Sequence, residues 1–85
     1  MKFTYKTKGT CSRSIEIEIE GSTLRNVWFE GGCSGNLQGI SSLIKGQDVD
    51  WVIGRLDGIQ CGMKPTSCPD QLARALREYK EEHMD

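Results

Sequence analysis

Ile15, Ile17 and Ile19 alternate strictly with Glu16, Glu18 and Glu20. A period of two puts successive side chains on opposite sides of an extended backbone, so this stretch reads as a half-buried strand with an isoleucine face and a solvated glutamate face. Phe3 and Tyr5 also alternate with polar residues and predict a short first strand, joined to the second through the turn residues Lys8-Gly9-Thr10. Gly21-Ser22 supplies turn chemistry on the far side, so the next strand, about Leu24 to Phe29, is expected to return antiparallel with Val27 and Phe29 on the core face.

At Gly31-Gly32 the sheet ends and the period changes. Leu37, Ile40, Leu43 and Ile44 fit one helix face, with Asn36 as the expected N-cap and Gly46 just past the end. Asp48 suits the cap of a second short helix carrying Val52, Ile53 and Leu56 and closed by Gly58. Ile59 to Pro65 reads as a loop. A third helix follows, with Ser67 or Cys68 as cap, Pro69 in its first turn and Gln71 placed to complete a capping box. Leu72, Ala75, Leu76 and Tyr79 form its inner stripe, and Arg74–Glu78 and Arg77–Glu81 are spaced as i,i+4 ion pairs. The reading is a single α+β domain over residues 1–85, a three-stranded antiparallel meander with helices packed on one face.

Size gives the four cysteines their interest. A domain of 85 residues buries only about 60–65% of its chain surface, so a staple is expected. The N-terminus has no apolar stretch of the kind that directs secretion. The expected compartment is the reducing cytoplasm, where cysteines more often hold metal or react than form permanent bridges. No apolar run approaches the roughly 18 residues of a membrane helix. A net charge of −1 with both signs interspersed gives no electrostatic footprint for nucleic acid.

Cys11, Cys33, Cys61 and Cys68 all fall at the ends of expected elements rather than inside them. Cys33 and Cys68 each stand at the start of a helix, where unpaired N–H groups and the helix dipole favour a thiolate, the form that binds metal. If strand ends and helix starts meet at one edge, Cys11, Cys33 and Cys68 converge with Cys61 as a nearby fourth. Four thiolates suit tetrahedral zinc, and iron–sulfur clusters take the same ligands.

Thr66-Ser67-Cys68-Pro69-Asp70 resembles the signature of the TSCPD domain, which occurs free-standing and as a C-terminal appendage of some ribonucleotide reductases. The resemblance covers essentially the whole chain. It implies metal binding through cysteines and a reductase label by association. A ribonucleotide reductase or another larger enzyme is the partner it points to.

The order of features also resembles U-type iron–sulfur scaffold proteins. Cys11 stands in a hairpin turn. Gly32-Cys33 opens a Ser-rich helix running through Ser41-Ser42 to Lys45-Gly46. Cys68 precedes Ala73-Arg74-Ala75-Leu76 and Tyr79. That likeness implies a scaffold-like α+β sandwich with Cys11, Cys33 and Cys68 as ligands. Arg13 stands where the scaffold has an Asp, Ser67 where it has a His, and Gly62-Met63-Lys64-Pro65 replaces its chaperone-docking motif. With Arg13 supporting a bound thiolate site and Cys61 closing its open position, these departures imply a metal held rather than transferred.

Other roles compete for the same residues. Cys33 and Cys68 could be small buried helix-start residues. A reversible Cys61–Cys68 disulfide is the main chemical alternative. His83, near the terminus, reads as solvated, and the alternating glutamates as a solvated strand face. Trp28 lies opposite Val27 and Phe29 and needs covering, by local packing or by an oligomer; a homodimer stays open. There is no Ser/His/Asp set, phosphate-binding glycine loop or carboxylate pair. Three readings stand: a zinc-stabilised module contacting a larger enzyme, a dithiol redox adaptor, and an iron–sulfur carrier.

Overall fold

The structure is a computed structural model that describes residues 1–10, 12–31, 34–60 and 62–83. Cys11, Cys33 and Cys61 lie outside the described residues, so what was expected of them is neither met nor overturned. Element order is β1 (Lys2–Lys6), β2 (Ser12–Glu20), β3 (Thr23–Gly31), α1 (Ser34–Ile44), α2 (Val49–Leu56) and α3 (Cys68–His83). The expected α+β meander is what forms: a three-stranded antiparallel sheet in the order β1-β2-β3.

The isoleucine alternation does what its period demands. Ile15, Ile17 and Ile19 are almost wholly buried and pack with Val49, Val52, Leu56, Leu72, Ala75 and Leu76 of the second and third helices. Glu16 and Glu20 on the opposite side are exposed. Phe3 of β1 stacks on Tyr79 of α3 with ring centroids 5.6 Å apart, so the expected inner stripe of α3 reaches its last turns.

Two register shifts interrupt the β2–β3 pairing, between Ser12 and Ser14 and between Glu18 and Ile19. At the first, Arg13 is the extra residue on β2. At the second, Arg25 is the extra residue on β3. A bulge resets the inward–outward alternation by one residue. Ser12 therefore joins Ile15 on the buried side although the two are an odd number of residues apart, and Leu24 likewise joins Val27. Arg13 is carried out to solvent, where it pairs with Glu30 at 3.6 Å.

The phase of the hydrogen bonds follows from the first pair. Met1 and Ile19 exchange both backbone bonds, at 2.7 and 2.8 Å, and Thr7 N donates to Arg13 O at 3.2 Å. Odd-numbered residues of β2 therefore bond to β1, and the even-numbered ones face β3.

The helices depart from expectation in detail. α1 begins at Ser34, which puts Asn36 inside the first turn rather than at the cap. Leu37 and Ile44 are buried and Ile40 half-buried, but Leu43 is 76% exposed and leaves the predicted stripe. α2 starts as expected: the Asp48 carboxylate accepts from Asp50 N and Trp51 N. Gly58, just past its end, has φ +83, a left-handed conformation that a side chain resists. On α3 both predicted i,i+4 pairs are replaced. Arg74 reaches back to Asp70 (3.1 Å) and Arg77 crosses to Asp57 beyond α2 (2.5 Å). Lys80 pairs with Asp50 of α2. Arg74 thus takes the buried Asp70 one turn back on α3 in place of Glu78, while Arg77 and Lys80 take partners at and beyond α2.

Candidate functional site

α3 starts beside the β1–β2 turn and the end of α2, and the pentapeptide at its head ties the three together. Each of its residues has a separate task. Ser67 is the N-cap: its Oγ accepts from Asp70 N at 3.2 Å, and its carbonyl accepts from Gln71 N at 2.8 Å. The same hydroxyl donates to Ile59 O at 2.6 Å, fastening the segment that leaves α2. Cys68 is the first helical residue and Pro69 the second, where a missing N–H costs nothing.

Asp70 is 3% exposed. A buried carboxylate is tolerated only when its oxygens are met. Thr66 Oγ1 donates to one oxygen, Gly58 N donates to the other at 2.7 Å, and Arg74 Nε lies 3.1 Å away. Burial pushes its pKa up. The bonds from Thr66 and Gly58 and the Arg74 guanidinium outweigh that and hold it below the ordinary aspartate value of 3.8.

Gln71 does not close a capping box. Its amide donates to Thr66 Oγ1 at 3.0 Å, and its carbonyl oxygen accepts from Lys8 N in the β1–β2 turn at 3.1 Å. A side chain that could have bonded to its own helix start reaches instead across 63 residues of sequence. Thr66 also sits close under the turn, 3.4 Å from where a Cβ on Gly9 would stand.

Cys68 lies at the centre, 6% exposed. Its sulfur is 3.0 Å from Ser12 Oγ, which in turn is 3.2 Å from Thr10 Oγ1. Thr7 and Thr10 both donate to Ser12 O, at 2.6 and 3.2 Å. Ser12 is the residue after Cys11 and pairs across the sheet with Gly31, two residues before Cys33. Ile59, held by Ser67, is two residues before Cys61.

Of the expected ligands Cys11, Cys33, Cys61 and Cys68, the structure describes Cys68 alone. Among the described residues no group of three or more His, Cys, Asp or Glu stands ready to hold a metal ion. His83 is partly exposed and rests on Tyr79, centroids 4.9 Å apart. Trp28 is 49% exposed, with Lys2 Nζ 5.4 Å from its ring centroid. Among the described residues no helix is long and apolar enough to cross a membrane.

What sequence reasoning missed is Ser12, Thr66, Asp70 and Gln71 as a buried polar set. Thr66, Asp70 and Gln71 were visible as a dense polar run ahead of an amphipathic helix. Nothing in the pattern announces Ser12, whose burial depends on the bulge at Arg13.

The fold and this knot define a small α+β domain whose last helix is locked to its sheet through a buried Thr-Ser-Cys-Pro-Asp segment. The profile of the TSCPD domain family matches residues 3–80, and the chain belongs to that family. Comparison with curated proteins and with solved structures finds no match.

Proposed function

We propose that this protein is a small cysteine-ligated metal module, with zinc the ion held by Cys11, Cys33, Cys61 and Cys68, acting as an accessory binding domain for a larger enzyme. The TSCPD resemblance points to a ribonucleotide reductase as that enzyme, with the whole a cytoplasmic assembly. No catalytic role of its own is assigned.

The observation that carries the reading is the surroundings of Cys68. Its sulfur lies on a serine that follows Cys11, that serine pairs with Gly31 shortly before Cys33, and the neighbouring Ser67 holds the segment leading to Cys61. Chain neighbours of the other three cysteines are thus tied to the start of α3, one at the Cys68 sulfur through Ser12, one through the pairing of Ser12 with Gly31, and one through Ser67. The donor set suits zinc, which takes four thiolates in a tetrahedron. The same order of cysteines is what a scaffold-like ancestry would leave.

The test is elemental analysis of anaerobically purified, untagged protein, with thiol titration under denaturing conditions. About one zinc per chain with all thiols reduced supports the module. Iron with a brown colour turns the reading to a cluster carrier, and metal-free protein whose thiols cycle turns it to a dithiol adaptor. Cys68→Ser is expected to lose the metal. If it keeps metal and stability unchanged, the central ligand is wrong.

A further inference from the structure

The two outer edges of the sheet are unlike. β1 is five residues long and carries Lys2 and Lys6, the charged, short form by which proteins keep an edge from pairing. β3 is nine residues long, and Asn26-Val27-Trp28-Phe29 at its middle carries no charge. Even-numbered residues of β2 face β3, so Trp28, opposite Glu16, bonds inward. Val27 and Phe29 on either side therefore direct their backbone N–H and C=O groups out of the sheet.

Nearer the start of β3 these outward groups are taken. Leu24 N donates to Gln47 O at 2.9 Å and its carbonyl accepts from Gly46 N at 2.7 Å, while Val49 N donates to Ser22 O at 2.8 Å. Past the bulge at Arg25 the cover stops: among the described residues nothing meets the outward groups of Val27 and Phe29. Alongside them runs a groove of about 430 Å³, with Asn26 to Phe29 as one wall and Leu37, Gln38, Ser41, Ser42 and Lys45 of α1 and its end as the other. One of these lining residues is charged, Lys45, at the closed end beside Gly46, and it makes no ion pair among the described residues.

We propose that this groove binds an extended peptide segment of a partner protein as a fourth strand antiparallel to β3, with an acidic side chain at the segment's C-terminal end facing Lys45. A strand is what the outward-directed, unbonded backbone groups at Val27 and Phe29 recognise, and α1 supplies the opposite wall, the arrangement of strand addition into a groove. A second copy pairing β3 to β3 would have to fit two copies of α1 beside the same edge, so a single strand suits the space better. The inference deepens the binding-module part of the proposed function and rests on it. It is independent of which metal the cysteines hold.

The probe is a synthetic peptide of alternating threonine and valine ending in aspartate, added to ¹⁵N-labelled protein whose metal content is measured in the same sample. In dilute free protein the Val27 and Phe29 amides should exchange at least about tenfold faster than that of Trp28. Peptide should slow them by at least about tenfold and shift resonances along Asn26–Phe29 and Leu37–Lys45. Methylating a peptide nitrogen that faces β3 should weaken binding about tenfold, and methylating the next nitrogen should not. Lys45→Glu should weaken the aspartate peptide and strengthen one ending in lysine, each by about threefold. No shift at these amides with millimolar peptide overturns the proposal. So does protection already present in dilute protein, or protection that grows with protein concentration alongside a dimer in sedimentation, which would make a second copy the occupant. Metal-free protein that still binds the peptide refutes the metal site and leaves the groove; metal-loaded protein that ignores it does the reverse.

Discussion

Between the sheet and its helices, Ile15, Ile17, Ile19, Leu24, Leu72 and Leu76 make an apolar core with almost no surface exposed. Against it, at the start of α3, Ser12, Thr66, Ser67, Asp70 and Gln71 are nearly as buried, yet each uses its side chain in a hydrogen bond. Among the described residues no buried side-chain nitrogen or oxygen lacks a partner. The core is non-directional and accepts any residue of suitable shape. The knot is directional: its residues are specified by donor, acceptor and reach, and removing one strands the others. This explains how a five-residue motif can mark a whole domain. Ser67 and Asp70 tie the start of α3 to the segment after α2, and Cys68 and Gln71 tie it to Ser12 and the β1–β2 turn.

The comparison can be broken from either side. The largest effect is expected in the core: Ile17→Ala should destabilise the protein by about 3–4 kcal/mol in urea unfolding, transfer and cavity terms together. If it costs less than Asp70→Ala, the core is not the stronger holdfast. Asp70→Ala should cost roughly 2–3 kcal/mol, because the Thr66 hydroxyl and Gly58 N–H lose a charged acceptor. The half-exposed Arg74 adds little. Ser67→Ala, removing a cap and the bond to Ile59, should cost about 1–2 kcal/mol. On the solvated side Glu20→Gln and Leu43→Gln should both stay within about 0.5 kcal/mol, which separates Leu43 from the stripe its spacing suggested.

Acid sharpens the same contrast. The folded-state pKa of Asp70 lies below its ordinary 3.8, so its contribution is complete above that value and is lost as pH falls through the folded-state value. The gap in unfolding free energy between wild type and Asp70→Asn should therefore narrow on acidification below about pH 4. The gap for Ile17→Ala should not change with pH. A constant Asp70→Asn gap down to pH 2 would mean the carboxylate is not held in its charged form.

How legible each region was follows from the range of the interactions that made it. The isoleucine alternation, the Asp48 cap and the amphipathic stripe of α3 are set by residues within one turn or a few strand positions, and all three stand in the structure as read. The pentapeptide was legible as a mark of family, but its mechanics were not. Gln71 was expected to serve its own helix and bonds instead to Thr66 and to the turn at Lys8. Arg74 pairs with Asp70 a turn earlier on its own helix rather than with Glu78, and Arg77 leaves the helix for Asp57.

From its own pattern, then, the chain dictated a two-layer α+β domain: period-two and period-3.6 hydrophobic faces have no other way to leave water. Tertiary structure alone decided which polar groups would be buried together. A bulge at Arg13 turned Ser12 inward to Cys68, and the approach of the hairpin turn to α3 gave Gln71 a partner far away in sequence. Hydrogen bonds act over a few ångströms of space, and only the folded chain says which residues come that close.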